Sequence, residues 1–481
     1  MDFRPIFLVV GMLLTTLALM MLVPAAVDAF SGHADWQVFA MSAGVTLFVG
    51  VAMALTCRAG DLRLSLHQAF AMTTLSWLLL AAFATIPFVF SELRLSFTDA
   101  FFEAMSGFTT TGSTVIVGLD KAPPGILVWR SLLQWLGGLG IIVIAIAVLP
   151  MLSVGGMQLF RMESSDRSEK ALPRAAQIAS AIGVIYMVLS VAVAVAYWLA
   201  GMSGFDAINH MMTTIATGGY STHDNSIGHF DNVKIEIIAI VGMILGSLPL
   251  VLYLRTIQGR PLAILADGQV QWYLSIIAMV IVSAAAWLWL QGGVHPLTAL
   301  RQSAFNIVSV ITTTGYATAD YNQWGTFVIP VFFFIIFVGG CSGSTAGGIK
   351  IFRIQVLYAA ARMQLRRLAH PHGVFIPHYN RRPISEDVIV SVLSFFFMWF
   401  FIFALLSLGL GLLGLDFLTA LSSVAQALAN VGPALGPIAG PAGNYSSFPD
   451  AAKWLLAAGM LLGRLELFTV MVMLSRSFWR G

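Results

Sequence analysis

Two kinds of apolar segment alternate along the chain. Ten runs are long enough to cross a bilayer, which takes about 20 residues. They are Ile6–Val23, Val38–Cys57, Leu66–Phe90, Gly125–Leu152, Ile178–Leu199, Val233–Leu254, Trp272–Gln291, Trp324 to about Phe352, Val388–Leu413 and Ala451–Leu474. Four shorter amphipathic runs lie between them: Phe97–Phe108, Gly204–Ile215, Pro296–Val310 and Asp416–Ala429. At roughly 10–14 residues these are too short to span, and they fit re-entrant half-helices. Each ends at a polar, glycine-bearing stretch. The first is Thr109-Thr110-Thr111-Gly112-Ser113-Thr114. Ile311-Thr312-Thr313-Thr314-Gly315-Tyr316-Ala317-Thr318 is nearly the same text, Ile215-Ala216-Thr217-Gly218-Gly219-Tyr220-Ser221-Thr222 a looser copy, and Asn430-Val431-Gly432-Pro433 a degenerate fourth. Gly112, Gly219, Gly315 and Gly432 thus recur at intervals of roughly 100 residues, the mark of one structural unit used four times.

The pattern predicts an all-α polytopic membrane protein. Two leading transmembrane helices (1–64) precede four pseudo-fourfold repeats of span, half-helix, loop and span, at 65–175, 176–268, 269–383 and 384–481. Composition agrees: 58% of the 481 residues are hydrophobic and only 10% charged, against roughly 25% charged in soluble domains. The first run is long enough to span and carries no small-residue cleavage pattern, so it is expected to stay as a helix. Cys57 and Cys341 lie in different apolar regions and suggest neither a disulfide framework nor a metal-ligand spacing.

Charge supplies orientation. With the amino terminus in the cytoplasm, most of the 25 Lys and Arg fall on the inner side, including Arg353, Arg362, Arg366, Arg367, Arg381 and Arg382. Both chain ends are then inside. All four glycine stretches fall outside, among acidic segments that include Asp99, Glu103, Asp120, Asp206, Asp224, Asp231, Asp320 and Asp416. Irregular backbone at membrane depth is tolerated only where protein buries it or water lines it. Four units around an axis meet both conditions. Their glycines let the backbone turn carbonyl oxygens inward, and rings of carbonyls replace the hydration shell of a monovalent cation. Each half-helix aims the partial negative charge of its carboxyl end at the centre.

Three further stretches carry chemistry. Gly339, Gly340, Gly343, Gly347 and Gly348 fall within ten residues of the eighth span, and each weakens a helix by about 1 kcal/mol relative to Ala. A phosphate-binding loop is excluded, because Ile349 separates Gly348 from Lys350 and no Ser or Thr follows. A flexible intramembrane loop fits better, with a packing break where spans cross as the plainer alternative. Arg464 stands inside the last span, where a charge costs at least about 2.5–3.5 kcal/mol and faces a cavity or a partner. It is expected near the glycine loop. Pairing with Glu466 is the weaker alternative, because residues two apart do not share a helix face. The glycines of Gln134-Trp135-Leu136-Gly137-Gly138-Leu139-Gly140 read as close helix contacts. His210 and His223 read as packed or solvated rather than as ligands. Arg161–Arg174 reads as a cytoplasmic loop. The basic stretch Arg362–Arg382, with His370, His372 and His378, suits lipid headgroups or a cytosolic partner.

On these motifs the chain resembles the Trk/Ktr/HKT superfamily of potassium transporters, most closely the bacterial TrkH family, over essentially its whole length. The four glycine loops stand where that family has its potassium filter. The resemblance therefore implies backbone carbonyl ligands at Thr111, Gly112, Gly218, Gly219, Thr314, Gly315, Val431 and Gly432. Relatives selective for sodium commonly have serine at the first-repeat glycine, so Gly112 favours potassium. The resemblance further implies a gate formed by the Gly339–Gly348 loop with Arg464, residence in the bacterial inner membrane, a homodimer with one pore per chain, and a cytosolic TrkA-like regulatory subunit binding adenine nucleotides. No dinucleotide fingerprint occurs in this chain, so nucleotide control would come from outside it. No other cofactor and no nucleic-acid partner is expected. A proton- or sodium-coupled symporter is the alternative, although the spans carry few carboxylates and Glu466 is the clearest. A membrane enzyme lacks a catalytic constellation, and a voltage-gated channel lacks regularly spaced span arginines.

Overall fold

The computed structural model describes residues 2–58, 65–147, 171–380 and 382–480. Part of the fourth predicted span, most of the Arg161–Arg174 segment, Arg381, and the boundaries placed at 64 and 481 lie outside the described residues.

The leading pair, Arg4–Ser31 and Trp36–Thr56, packs backbone to backbone. A Cβ on Gly11 would lie 2.7 Å from the Gly50 carbonyl oxygen, and one on Gly50 would lie 2.8 Å from the Thr15 nitrogen. Small residues let apolar helices approach this closely where lipid gives no hydrophobic incentive to pack. The next span, Leu66–Phe90, starts at a capping box: Gln68 donates its backbone N–H to Ser65 Oγ, while its side chain accepts from the Ser65 N–H.

The four half-helices are Phe97–Phe108, Gly204–Ile215, Pro296–Ile311 and Phe417–Ala429. Their starts are written in the sequence. Ser96, Ser203 and Asp416 accept the backbone N–H of Asp99, Asp206 and Thr419, satisfying an orphan donor of the first turn. The third begins instead with Pro296, which has no N–H to satisfy. Each half-helix is deeply buried towards its carboxyl end.

Among the described residues, seven helices are long and apolar enough to cross a membrane: Arg4–Ser31, Trp36–Thr56, Leu66–Phe90, Pro124–Ile142, Gln177–Leu199, Gly268–Leu290 and Glu386–Leu412. The other three predicted spans are not continuous. Val233–Ser247 meets Leu250–Ile257 at 92°, where Pro249 removes an N–H from the helix ladder. Asp450–Arg464 meets Phe468–Leu474 at 105°, around Glu466 and Leu467 in left-handed conformations with φ of 62° and 33°. Val328–Val338 gives way to the glycine loop before Ile351–Ala369 begins. Its predicted start at Trp324 is also corrected: Tyr321–Gln323 form a 3-10 turn that precedes the helix. A two-residue hairpin, His378–Tyr379 with Arg382–Pro383, is antiparallel and had no signal in the pattern.

Candidate ion pathway

All four half-helices end in the same turn. Thr110, Thr217, Thr313 and Asn430 take left-handed φ values of 55°, 51°, 60° and 55°. The residue after each donates its N–H to the carbonyl five positions back: Thr111 to Ser106 at 2.8 Å, Gly218 to Thr213 at 2.8 Å, Thr314 to Ser309 at 2.9 Å and Val431 to Gln426 at 3.0 Å. This is a Schellman-type cap, which stops a helix and sends the chain off at an angle. Glycine usually fills its left-handed position. Threonine there costs roughly 1–3 kcal/mol, a strain that persists where the surroundings over-determine it.

The glycines that follow close a ring. A Cβ on Gly112 would stand 2.1 Å from the Gly218 carbonyl oxygen, and one on Gly219 only 1.8 Å from that of Thr314. A Cβ on Gly315 would meet the Gly432 nitrogen at 2.7 Å, and one on Gly432 would meet the Gly112 carbonyl oxygen at 3.1 Å. Each repeat touches the next, and the fourth touches the first. The structure thereby brings together Thr111, Gly112, Gly218, Gly219, Thr314, Gly315, Val431 and Gly432 around one centre.

Side chains brace the ring from outside. The residue after three of the glycines reaches back into the preceding repeat. Ser113 Oγ donates to Gln426 Oε1 at 3.0 Å; Tyr220 Oη donates to the Glu103 carbonyl at 3.0 Å; Tyr316 Oη lies 2.5 Å from Thr213 Oγ1. Gln134 Nε2 donates to the Gly218 carbonyl at 2.6 Å, and its Oε1 accepts from the Tyr220 N–H at 3.1 Å. The pattern alone did not single out Gln134, although its glycine neighbours pack as expected: a Cβ on Gly137 would lie 1.9 Å from the Phe108 carbonyl oxygen. An ion pair also went unforeseen. Arg130 Nε and Glu103 Oε1 meet at 2.8 Å with both side chains buried. Arg130 also donates to the Ser221 carbonyl at 2.9 Å and lies 4.0 Å over the Tyr220 ring. His210 is packed as anticipated, with Nδ1 at the Asp206 carbonyl and Nε2 at Ser221 Oγ.

Beneath the ring lies the Gly339–Gly348 loop. Thr345 Oγ1 donates to the carbonyls of Ile215 and Gly246 and lies 3.2 Å from Thr217 Oγ1. The Gly347 N–H donates to Thr313 Oγ1 at 2.9 Å, and a Cβ on Gly347 would stand 2.4 Å from the Ala429 carbonyl oxygen. The loop therefore touches repeats two, three and four just below their left-handed residues. Its two ends pack together, the site of a Gly339 Cβ falling 2.7 Å from the Gly348 Cα.

Arg464 reaches this loop from the fourth repeat. Its Nη1 donates to the Thr345 carbonyl at 2.9 Å, and its Nε and Nη2 have no hydrogen-bond partner among the described residues. Glu466 is engaged elsewhere: it pairs with Arg353 and with Lys350 Nζ at 3.4 Å, both in the third repeat. The weaker sequence alternative, Arg464 paired with Glu466, is thus set aside. On the far side, Arg255, Arg260, Arg362, Arg366 and Arg382 line a cleft of about 1000 Å³.

Seven membrane-length helices and two bent helix pairs among the described residues, four buried half-helices and a closed ring of glycine loops define a polytopic helical membrane protein of pore-repeat design. Comparison with known proteins agrees. Residues 36–480 match the family model for TrkH, a cation transport protein. The Trk system potassium uptake protein TrkI of Halomonas elongata is 46% identical over 99% of this chain and 97% of its own. TrkH of Escherichia coli strain K12 is 38% identical over the full length of both. The crystal structure of the potassium transporter TrkH from Vibrio parahaemolyticus superposes with a TM-score of 0.93 at 37% identity, covering both chains completely. The chain belongs to the TrkH family, and is a transport protein rather than an enzyme.

Proposed function

We propose that this chain takes up potassium across the bacterial inner membrane through one pore, with Thr111, Gly112, Gly218, Gly219, Thr314, Gly315, Val431 and Gly432 supplying the filter carbonyls. The closed contact ring of the four glycines carries this reading. It sets backbone from four repeats around a single centre, the arrangement that replaces water around a monovalent cation. The relatives named as potassium uptake proteins favour potassium as that cation.

In this reading the repeats run 65–175, 176–268, 269–383 and 384–481 behind the leading pair at 1–64, and both termini are cytoplasmic. The Gly339–Gly348 loop is the gate. Gly339, Gly340, Gly343, Gly347 and Gly348 let it bend, and Arg464 holds it by the Thr345 carbonyl while placing positive charge in the ion's path. The basic cleft faces the cytoplasm, beside anionic lipid and a TrkA-like subunit that binds adenine nucleotides. The chain works as a homodimer. Glu466 is held between Lys350 and Arg353, which argues against a free carboxylate relay and hence against coupled symport.

The test is flux through reconstituted protein in a potassium gradient. A potassium-selective current is expected whose reversal potential ignores imposed proton or sodium gradients. A reversal potential that follows either gradient would identify a symporter instead. Equal sodium and potassium flux would overturn the filter assignment.

A further inference from the structure

Beyond the glycine ring, on the side away from the Gly339–Gly348 loop, two histidines and a carboxylate converge. Asp120 comes from the first repeat's Leu119–Lys121 turn, and His223 from just past the second ring glycine. His229 comes from the Ser226–Phe230 turn. His223 Nδ1 lies 2.6 Å from Asp120 Oδ1, and His229 Nδ1 lies 3.9 Å from that same oxygen. One ligand atom from each residue falls within 4.8 Å of the others. The two imidazoles are stacked 3.5 Å apart with planes 2° from parallel, and the Phe230 ring stands edge-on to both.

We propose that Asp120, His223 and His229 bind a divalent transition-metal ion of the zinc type, and that its binding slows potassium uptake, the second half resting on the function proposed above. Two imidazole nitrogens and one carboxylate oxygen are the donor set such ions prefer, over the all-oxygen sets of magnesium and calcium. Bonds of 2.0–2.2 Å in a tetrahedron space the donors by about 3.3 Å. Asp120 and His223 are already closer than that. His229, 44% exposed, needs only to turn about its own side-chain bonds. Water completes the fourth position, which Asp120, 45% exposed, leaves open to solvent.

The surroundings supply what an isolated His-Asp pair lacks. The other nitrogen of His223, Nε2, is buried with no hydrogen-bond partner among the described residues and faces Asp206 Oδ1 at 3.5 Å, which a small turn of the ring closes. A carboxylate behind a ligating histidine fixes its tautomer and raises its basicity. Asp206 is itself held, accepting from Thr222 Oγ1 at 2.8 Å and from Ser203 Oγ at 2.7 Å.

The same ion would tie neighbouring repeats together. Asp224 Oδ1 accepts the N–H groups of Gly118 and Leu119 from repeat one, and the Gly228 N–H donates to the Ala317 carbonyl in repeat three. A bridge from Asp120 to His223 and His229 stiffens this belt immediately beyond the ring, where an ion must pass.

The experiment titrates zinc into the purified full-length protein against a chromophoric chelator, and measures rubidium uptake with and without zinc in reconstituted vesicles. One ion per chain is expected. His229→Ala and Asp120→Asn should each weaken binding by roughly tenfold or more, since even outer partners are worth 10–100-fold. A triple variant, His370→Ala with His372→Ala and His378→Ala, should keep both the stoichiometry and the affinity. Cobalt in place of zinc should give a visible absorption band that His229→Ala abolishes. Binding lost in the triple variant, or unchanged in His229→Ala and Asp120→Asn, would overturn the site. Zinc bound as predicted without altering rubidium uptake would overturn only the effect on flux. A protein that binds zinc but carries no rubidium at all would instead count against the proposed function.

Discussion

At the glycine ring four half-helices end in one and the same turn; beneath it, the helices that follow them take four different courses. The caps at Thr110, Thr217, Thr313 and Asn430 agree in φ to within ten degrees. Of the second helices, Pro124–Ala147 runs on unbroken, one turns through 92° at Pro249, one dissolves into the glycine loop, and one turns through 105° beside Arg464. The difference follows from how each region is held. Gly112, Gly219 and Gly315 lie too close to their neighbour's backbone to admit a Cβ, so these repeats are locked to one another. Beneath the ring, single side chains such as Arg464 and Glu466 make the contacts, and each repeat is free to differ.

The hardest blow to the ring side should come from Gly219→Ala. Its Cβ would fall 1.8 Å from the Thr314 carbonyl oxygen at a φ of 78°, and both the space and the conformation forbid it. Selective rubidium uptake is expected to vanish in protein that still reaches the membrane. Survival of normal selectivity would show that the ring yields. Next comes Glu103→Ala, which strands the buried Arg130 guanidinium. Breaking such a pair costs about 3–5 kcal/mol, and a large drop in the unfolding temperature of the detergent-solubilised protein is the expected reading.

On the loop side the effects should be gains. Removing several of the residues from Gly339 to Gly348 is expected to raise uptake and, if the proposed cytosolic subunit controls it, to loosen that control; low flux in folded protein would count against a gate. Arg464→Ala should raise flux severalfold per folded chain, with Arg464→Lys between it and the parent, since lysine keeps the charge and loses the planar fork. Because Glu466 pairs with Lys350 and Arg353, this change orphans no carboxylate, so adding Glu466→Gln should not rescue anything. The smallest effect, and the sharpest on symmetry, belongs to Gly432→Ala. Gly432 has no positive φ, and its Cβ would sit 3.1 Å from the Gly112 carbonyl oxygen, a tight contact that a shift of a few tenths of an ångström relieves. Uptake within about twofold of the parent, under 0.5 kcal/mol, is expected where Gly219→Ala abolishes it.

The contrast also explains what could be read from the chain alone. Half-helices and ring glycines were legible because the information is local: a short amphipathic run, then a polar stretch bearing glycine. The loop was legible from its five glycines. The bends were not. Ala451–Leu474 is apolar on both sides of Leu465–Leu467, and no Gly or Pro falls within the turn itself, Gly463 lying in the helix before it. Pro249 was visible, but the hydropathy on either side overrode it. The partners of Glu103 and Glu466 lie 27 and 113 residues away, and no period along the chain connects them. Asp120 reads from the sequence only as one of several outer acidic residues and His229 carries no signal, since only the packing of two outer loops makes them neighbours.

The glycine loop occurs once, in the third repeat, although the ring beside it is fourfold. A channel assembled from four identical subunits must carry four copies of any barrier and release them together or in sequence. Here, on the proposed reading, a single segment stands in the way, so its withdrawal is one unimolecular event. Closed dwell times before opening should then follow a single exponential with no initial lag, and one damaged loop should be enough to leave the whole pore unguarded.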